Sequence, residues 1–452
     1  MTPRMSQSDD PQQDLYRIEL LSIIDISHPL VKLAGQIRWA AFEQRLSPLY
    51  DGHMGAPGKS IRLMAGLHYL KHTFDFSDEA AVAHWVENPY WQHFCGAKYF
   101  EHNLPINPSS MTKWRNRIGA DGVEELLRQT VETGLRTGAV QEKSLAHVNV
   151  DTTVQEKAVA FPTDARLYNK MREVLVKLAQ QNKVRLRQSY ARVGSRTLVA
   201  VGRFAHGKKW KDLRAAQRHL KTLLGRVVRD IEREIQGNEG LCAIFKVELE
   251  KAVRLLAQQR KDKKKIYSIH APEVECISKG KTHKRYEFGC KAALASTSKE
   301  GFIIACDAMH GNPYDGHTLT ATLEQAGRMT GREITGDVFV DRGYKGHGYA
   351  GNATVHIAGQ GYKTMTNKLK KLMRRRSAIE PLIGHMKNDG RLGRCYLKGQ
   401  EGDKMNALLS GCGQNLRLML NRIFLSLFLC LLLLPLRQEG GDSGRARKII
   451  AC

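Results

Sequence analysis

The chain has 452 residues, with 71 Lys and Arg against 45 Asp and Glu, a formal charge of +26 and a pI near 9.7. That length supports two or three domains around a large core, and the charge marks a binder of nucleic acid or another anionic surface. Nine scattered cysteines without CxxC pairs, and no apolar leader before them, argue against a disulfide framework and suggest reduced cytoplasmic thiols.

Residues 1–29 are expected to form a flexible tail and 30–143 a helical DNA-binding domain. Ser60 is placed to cap a helix carrying Leu63, Leu67 and Leu70. Ser77 and Asp78 open another through Val82, Trp85 and Val86, which Asn88-Pro89 stops. After Pro108-Ser109-Ser110 a basic helix, MTKWRNRI, runs to Gly119 and is expected to expose Lys113, Arg115 and Arg117. Short helices with one basic member suit a helix-turn-helix; a plain dimerisation bundle has the same pattern. Gly58-Lys59-Ser60 superficially suggests a phosphate loop, but the required first glycine falls at His53. His68 and His72, four apart, lack a third zinc ligand nearby.

Residues 144–422 change period. Val148 and Val150 alternate with polar neighbours, predicting a strand that delivers Asp151 at its end. Helical spacing then occupies 164–262 as an insertion. Strand signals resume at 285–295 and 301–306. Asn312-Pro313-Tyr314-Asp315 reads as a turn and cap for a helix through Leu319, Leu323 and Ala326. Strands at 337–341 and 354–358 follow, then a helix from Ser377. This order predicts an α+β or α/β ribonuclease-H-like catalytic domain, interrupted by a helical insertion after its first strand. The tail 423–452 is apolar and then basic. Its apolar run 423–436 is shorter than the roughly 20 residues of a membrane span, which predicts a buried or partner-packed helix and no membrane.

Three acids carry the chemistry. Asp151 ends Val148-Asn149-Val150, Asp341 ends Val338-Phe339-Val340, and Glu380 lies in RRRSAIEPLIGHMK. Phosphodiester hydrolysis or transfer needs hard oxygen ligands holding two divalent ions about 3.5–4 Å apart. Asp341 opens DRGYKGH, where the glycines with Arg342 and Lys345 allow close approach to a phosphate. Ser377 and Glu380 also fit a capping box. In a continuous helix Arg376, Glu380, Gly384 and Lys387 share one face, opposite Ile379, Leu382, Ile383 and Met386. Residues 361–400 hold 11 Lys or Arg against Glu380 and Asp389. Asp307, which also ends a strand, is the rival ligand.

These motifs, together with HPLVKLAGQIRW, WVENPYWQHFCG, NVDTTVQEKAVAFPTDA and GNPYDGHTL, resemble the DDE transposases of bacterial insertion sequences. The match is closest to insertion sequence family five within the IS4-like superfamily and covers roughly residues 28–422. The resemblance implies that Asp151, Asp341 and Glu380 bind Mg2+, with Mn2+ as a substitute, and that Arg376 and Lys387 contact DNA. It also implies double-stranded DNA partners, namely the terminal inverted repeats and a target, and a homodimer on DNA in the bacterial nucleoid. Met373 departs from the superfamily pattern, which has Tyr there. A ribonuclease-H-like nuclease would share the acids, and a decayed or non-catalytic DNA-binding protein would share the charge.

Overall fold

The computed structural model describes residues 17–50, 58–259, 261–262, 265–278 and 284–438, with side chains through 427. The chain forms two compact units. One comprises 1–155, 291–309 and 313–452; the other comprises 156–290 and 310–312.

The first unit begins with helices α1 (Leu20–Ile23), α2 (Pro29–Gln36), α3 (Trp39–Leu46), α4 (Ile61–Thr73), α5 (Asp78–Glu87), α6 (Pro89–Phe94) and α7 (Ser109–Arg136). Their starts are set locally. Ser60 Oγ accepts from the Leu63 amide and Ser77 Oγ from that of Ala80, while Asn88 Oδ1 accepts from Tyr90 and Trp91 ahead of Pro89. Residues 17–29 are not the expected tail: Leu20 is fully buried and its amide donates to the Lys98 carbonyl. Gly119 does not end α7 but kinks it, at φ 62, a conformation that costs glycine no steric clash.

A buried charge network joins these helices. Arg115 is 2% exposed and donates to both carboxylate oxygens of Asp78, at 3.0 and 2.6 Å, and Lys71 Nζ reaches Asp78 Oδ1 at 2.7 Å. Arg115 is therefore unavailable to DNA, against expectation. Its position on α7 faces α5, and a guanidinium so desolvated needs a paired carboxylate. Lys113 and Arg117 are exposed, with Arg117 lying over the Tyr50 ring.

The same unit contains a mixed sheet in the order β4–β3–β1–β5–β6, with β7 beside β1. The strands are β1 (His147–Lys157), β3 (Tyr286–Thr297, from residue 291), β4 (Ile303–Met309), β5 (Asp337–Val340), β6 (Thr354–Ile357) and β7 (Arg394–Cys395). β3 and β4 are antiparallel, whereas β1–β5 and β5–β6 are parallel. Strand β1 extends six residues past Asp151, which thus lies mid-strand rather than at its end; Val154 and Gln155 beyond it are fully buried.

Helices α12 (Asp315–Thr330), α13 (Asn367–Arg375), α14 (Ile379–Asp389) and α15 (Gly399–Gln438) complete this unit. Helix α15 runs through its core. Asn415 bonds both the amide and the carbonyl of Ile303 and also Thr130 Oγ1, while Arg417 donates to the carbonyls of His72, Thr73 and Asp389. A Cβ at Gly413 would lie 2.4 Å from the His72 carbonyl oxygen, so this crossing requires glycine. The apolar run 423–436 is helical, but Phe424 and Leu425 at its start are 63% and 56% exposed. Among the described residues no helix is long and apolar enough to cross a membrane. The final residues, 439–452, lie outside the described residues, as do 1–16.

The second unit contains the expected helical insertion: α8 (Asp164–Gln181), α9 (Ala191–His206), α10 (Trp210–Ile235) and α11 (Glu239–Ala257). Leu175, Leu220, Leu224, Val227, Ile231, Phe245 and Leu255 form its separate core. It extends beyond the expected limit at 262 to residue 290, taking in β2 (Glu275–Ser278), which pairs antiparallel with the start of β3.

Removing the Asp78 charge by Asp78→Asn should destabilise the fold by about 3–5 kcal/mol, because Arg115 and Lys71 lose a buried partner, as read from urea unfolding. Burial alone would raise the Asp78 carboxyl, but hydrogen bonds from Arg115 and the charge of Lys71 outweigh it and hold the group well below the usual carboxylate range. The folded value lies under the unfolded value of about 3.9. The stabilisation is therefore complete above pH ~4 and lost as pH falls through the folded value, so wild type and variant should converge only in acid.

Candidate metal centre

The geometry begins with strand register. His147 pairs with Asp337, Val148 with Val338 and Asn149 with Phe339. The paired stretch ends two residues short of Asp151 on one strand and of Asp341 on the other, so both acids follow directly from the same parallel pairing. Beyond Val340 the strand gives way to a turn, Arg342–Tyr344, and Asp341 caps it: Oδ1 accepts from the Gly343 amide at 2.9 Å. Asp151 is 16% exposed at its side chain, and its Oδ1 accepts from the Thr152 amide at 2.7 Å.

Glu380 enters from helix α14. The capping box expected at Ser377 does not form. Ala378 occupies the N-cap without a side-chain bond, and Ser377 Oγ donates backward to the Arg374 carbonyl. A 3-10 turn, Arg376–Ala378, instead joins α13 to α14 and keeps Arg376 in helical backbone. Arg376 therefore projects one turn before Glu380. Its guanidinium lies 3.5 Å from Glu380 Oε1 and 4.0 Å from Asp151 Oδ2, linking two of the three acids. Ile379, Leu382, Ile383 and Met386 are buried on the opposite face, as their spacing predicts. Glu380 itself is 65% exposed, and Lys387 is half-buried on the same helix.

Around Asp341, Arg342 and Lys345 are exposed. A Cβ at Gly359 would lie 2.9 Å from Arg342 Nε, so glycine at φ 85 lets the guanidinium lie against that loop. The rival Asp307 is engaged elsewhere: it sits on β4 with Lys404 Nζ 3.8 Å away, and burial raises its carboxyl. His68 and His72 do not make a zinc site. Each is buried with Nδ1 against the carbonyl four residues earlier, and burial followed by the Arg115 charge pushes His68 down to about 3.

Four residues near the acids were not singled out by sequence. Asp315 is the first residue of α12, behind the N-cap Tyr314. Its Oδ1 accepts from Thr152 Oγ1 and from Lys291 Nζ, both at 2.8 Å, and Lys291 also donates to the Pro313 carbonyl. Tyr344 is fully buried; burial first, then the charges of Asp151, Asp315 and Asp341, push its phenol well above the usual range. The one sequence signal was the stretch GNPYDGHTL, where Asp315 read as a turn residue. Asp151, Asp341, Glu380 and Asp315 supply carboxylate oxygens, the ligand type a hard divalent cation takes.

Residues 18–117 match the family described as transposase domain (DUF772), and residues 257–416 match the transposase DDE domain. The second match takes in Asp341 and Glu380; residues 118–256, including Asp151 and most of the insertion, lie between the two. The chain is 49% identical over 207 residues to "Uncharacterized protein ORF8 in nfe locus" of Rhizobium meliloti, covering all of that protein and 46% of this chain. No solved structure matches. A helical transposase domain followed by a mixed-sheet DDE domain places the chain in the DDE transposase family.

Proposed function

We propose that this transposase, of insertion sequence family five within the IS4-like superfamily, cleaves the ends of its element and joins the liberated 3′-hydroxyls to target DNA. The catalytic domain, residues 144–422, is read as ribonuclease-H-like, with Asp151, Asp341 and Glu380 as the ligands of Mg2+, or of Mn2+ in its place. The observation that supports this reading is the parallel pairing that ends just before Asp151 and Asp341, together with the Arg376 bridge from Asp151 to Glu380. When bound, a pair of such ions activates the attacking hydroxyl and stabilises the leaving oxygen.

The remaining work falls to the chain's own side chains. Arg376 is held at the acids, within reach of a phosphate brought to them. Arg342 and Lys345, on the loop after Asp341, and Lys387, one face of α14 on from Glu380, are the further DNA contacts. Lys113 and Arg117 are the exposed cations through which 30–143 would hold an element end. Duplex DNA with inverted repeats at both ends makes a homodimer on DNA the expected assembly, and the bacterial nucleoid its location.

The charge is concentrated in the insertion. Residues 156–290 hold 32 Lys and Arg against 14 Asp and Glu. On α10, Lys211, Arg214, Arg218 and Lys221 follow spacings of three and four and line a groove of about 480 Å³ with Tyr168 and Asp164 of α8. A stripe of cations at one-turn intervals suits a phosphate backbone.

Two measurements test this function. Replacing Asp151 or Asp341 by Asn, or Glu380 by Gln, should cut end cleavage by more than about 100-fold, since ligand loss exceeds the effect of disturbing an outer partner, while end binding stays near wild type. The assay uses the terminal repeats flanking the gene, labelled, in Mg2+, with Asp307→Asn as control. Full cleavage by Glu380→Gln, or loss confined to Asp307→Asn, would overturn the assignment. Changing Lys211, Arg214, Arg218 and Lys221 together to Gln should flatten the log–log dependence of duplex binding on salt by about 0.9 for each phosphate that is no longer neutralised. An unchanged slope would remove this face from the DNA interface.

A further inference from the structure

We propose that Asp315 is a fourth carboxylate of this centre, offering Oδ2 to a divalent cation while Thr152 and Lys291 hold Oδ1. The inference rests on the preceding reading of Asp151 and Asp341 as ligands, and it adds a residue that neither the spacing of the acids nor the family's three-acid pattern supplies.

An aspartate at the start of a helix ordinarily serves its own helix, by capping free amides or by facing the positive end of the dipole. Asp315 does stand in the first turn of α12, behind the N-cap Tyr314. Its Oδ1 is turned to two donors from other strands, Thr152 Oγ1 on β1 and Lys291 Nζ on β3. Thr152 is the residue after Asp151, so Asp315 is tied to the strand that carries the first acid. Lys291, only 11% exposed and also bonded to the Pro313 carbonyl, balances one negative charge at the acids.

The other oxygen faces the second acid. A Cβ built on Gly343 would lie 2.9 Å from Asp315 Oδ2 and 3.0 Å from Asp341 Oδ1. Both oxygens thus lie within 3.0 Å of the position a single methyl group would take, and glycine at 343 leaves that position empty. Without a cation between them, two carboxylates so placed repel each other.

Tyr344 gives the independent sign. It is fully buried, and its hydroxyl has no hydrogen-bond partner of good geometry among the described residues. The adjacent Thr318 hydroxyl is already committed to the Asp315 carbonyl at 2.7 Å. The phenol instead lies in the combined field of Asp151, Asp315 and Asp341. A fully buried hydroxyl left without a hydrogen-bond partner, three residues from Asp341, fits a site with a polar occupant of its own.

The test is Mn2+ binding by the full-length protein without DNA, followed through the electron paramagnetic resonance signal of free Mn2+. Asp315→Asn retains an oxygen that can accept from Thr152 and Lys291 but loses the charge and the second ligand oxygen. It should bind Mn2+ roughly tenfold more weakly or worse, with a thermal unfolding midpoint close to wild type. Gly343→Ala is the companion variant: its methyl takes the position beside the two oxygens and should weaken Mn2+ binding with no change of charge. Asp341→Asn should lose binding altogether. If Asp341→Asn loses Mn2+ while Asp315→Asn and Gly343→Ala bind like wild type, Asp315 is no part of the centre and the inference is overturned. If Asp341→Asn itself binds like wild type, the reading of the centre fails, and the inference with it.

Discussion

Parallel pairing of His147–Asn149 with Asp337–Phe339 is the constraint on which the candidate centre depends. Strand side chains alternate between faces with period two, so a slip of one residue would send Asp151 and Asp341 to opposite sides of the sheet. The register is held by apolar burial. Val148, Val150, Val338, Phe339 and Val340 are all fully buried, and a slip would set Asn149 on the face that Val148 and Val150 fill. Asp151 and Asp341 are thus led in by residues with no chemistry of their own.

Bringing carboxylates together costs electrostatic energy, and the cations nearby offset it. Arg376 stands between Asp151 and Glu380, and Lys291 binds Asp315. The two cations differ in kind. Arg376 approaches its acids at 3.5 and 4.0 Å, an arrangement that a phosphate or a metal ion can replace without breaking a short bond. Lys291 makes two short bonds in a nearly enclosed position and belongs to the scaffold.

That scaffold is tied by buried polar groups rather than by apolar packing alone. Asn415 bonds both backbone groups of Ile303, joining α15 to the start of β4, and Thr130 joins α7 to the same point. Arg417 gathers the carbonyls at the end of α4 and of α14, the helix that bears Glu380. Each such bond is worth about 1 kcal/mol net, but leaving a buried partner unsatisfied costs more. Polar ties of this kind select one arrangement of the helices, which is what a site assembled from two strands and two helices needs.

Local interactions made much of the chain legible from sequence. Ser60, Ser77 and Asn88 cap helices because a cap bond spans two or three residues, and the helical insertion followed from its apolar spacing. The three acids stood out by context, and the basic charge pointed to DNA. Tertiary structure decided the rest, where the partners are remote. Arg115 reads as an exposed cation on a basic helix, and only the packing of a helix 37 residues away buries it on Asp78. Asp315 reads as a cap, and only a strand 163 residues earlier in the chain draws its carboxylate away to Thr152. Asp151 reads as a strand end because the apolar alternation before it stops there, while the strand itself continues on pairing that no local pattern records. Sequence periodicity reports what lies within one turn or one pleat; which charge meets which, across the fold, is set by register and packing.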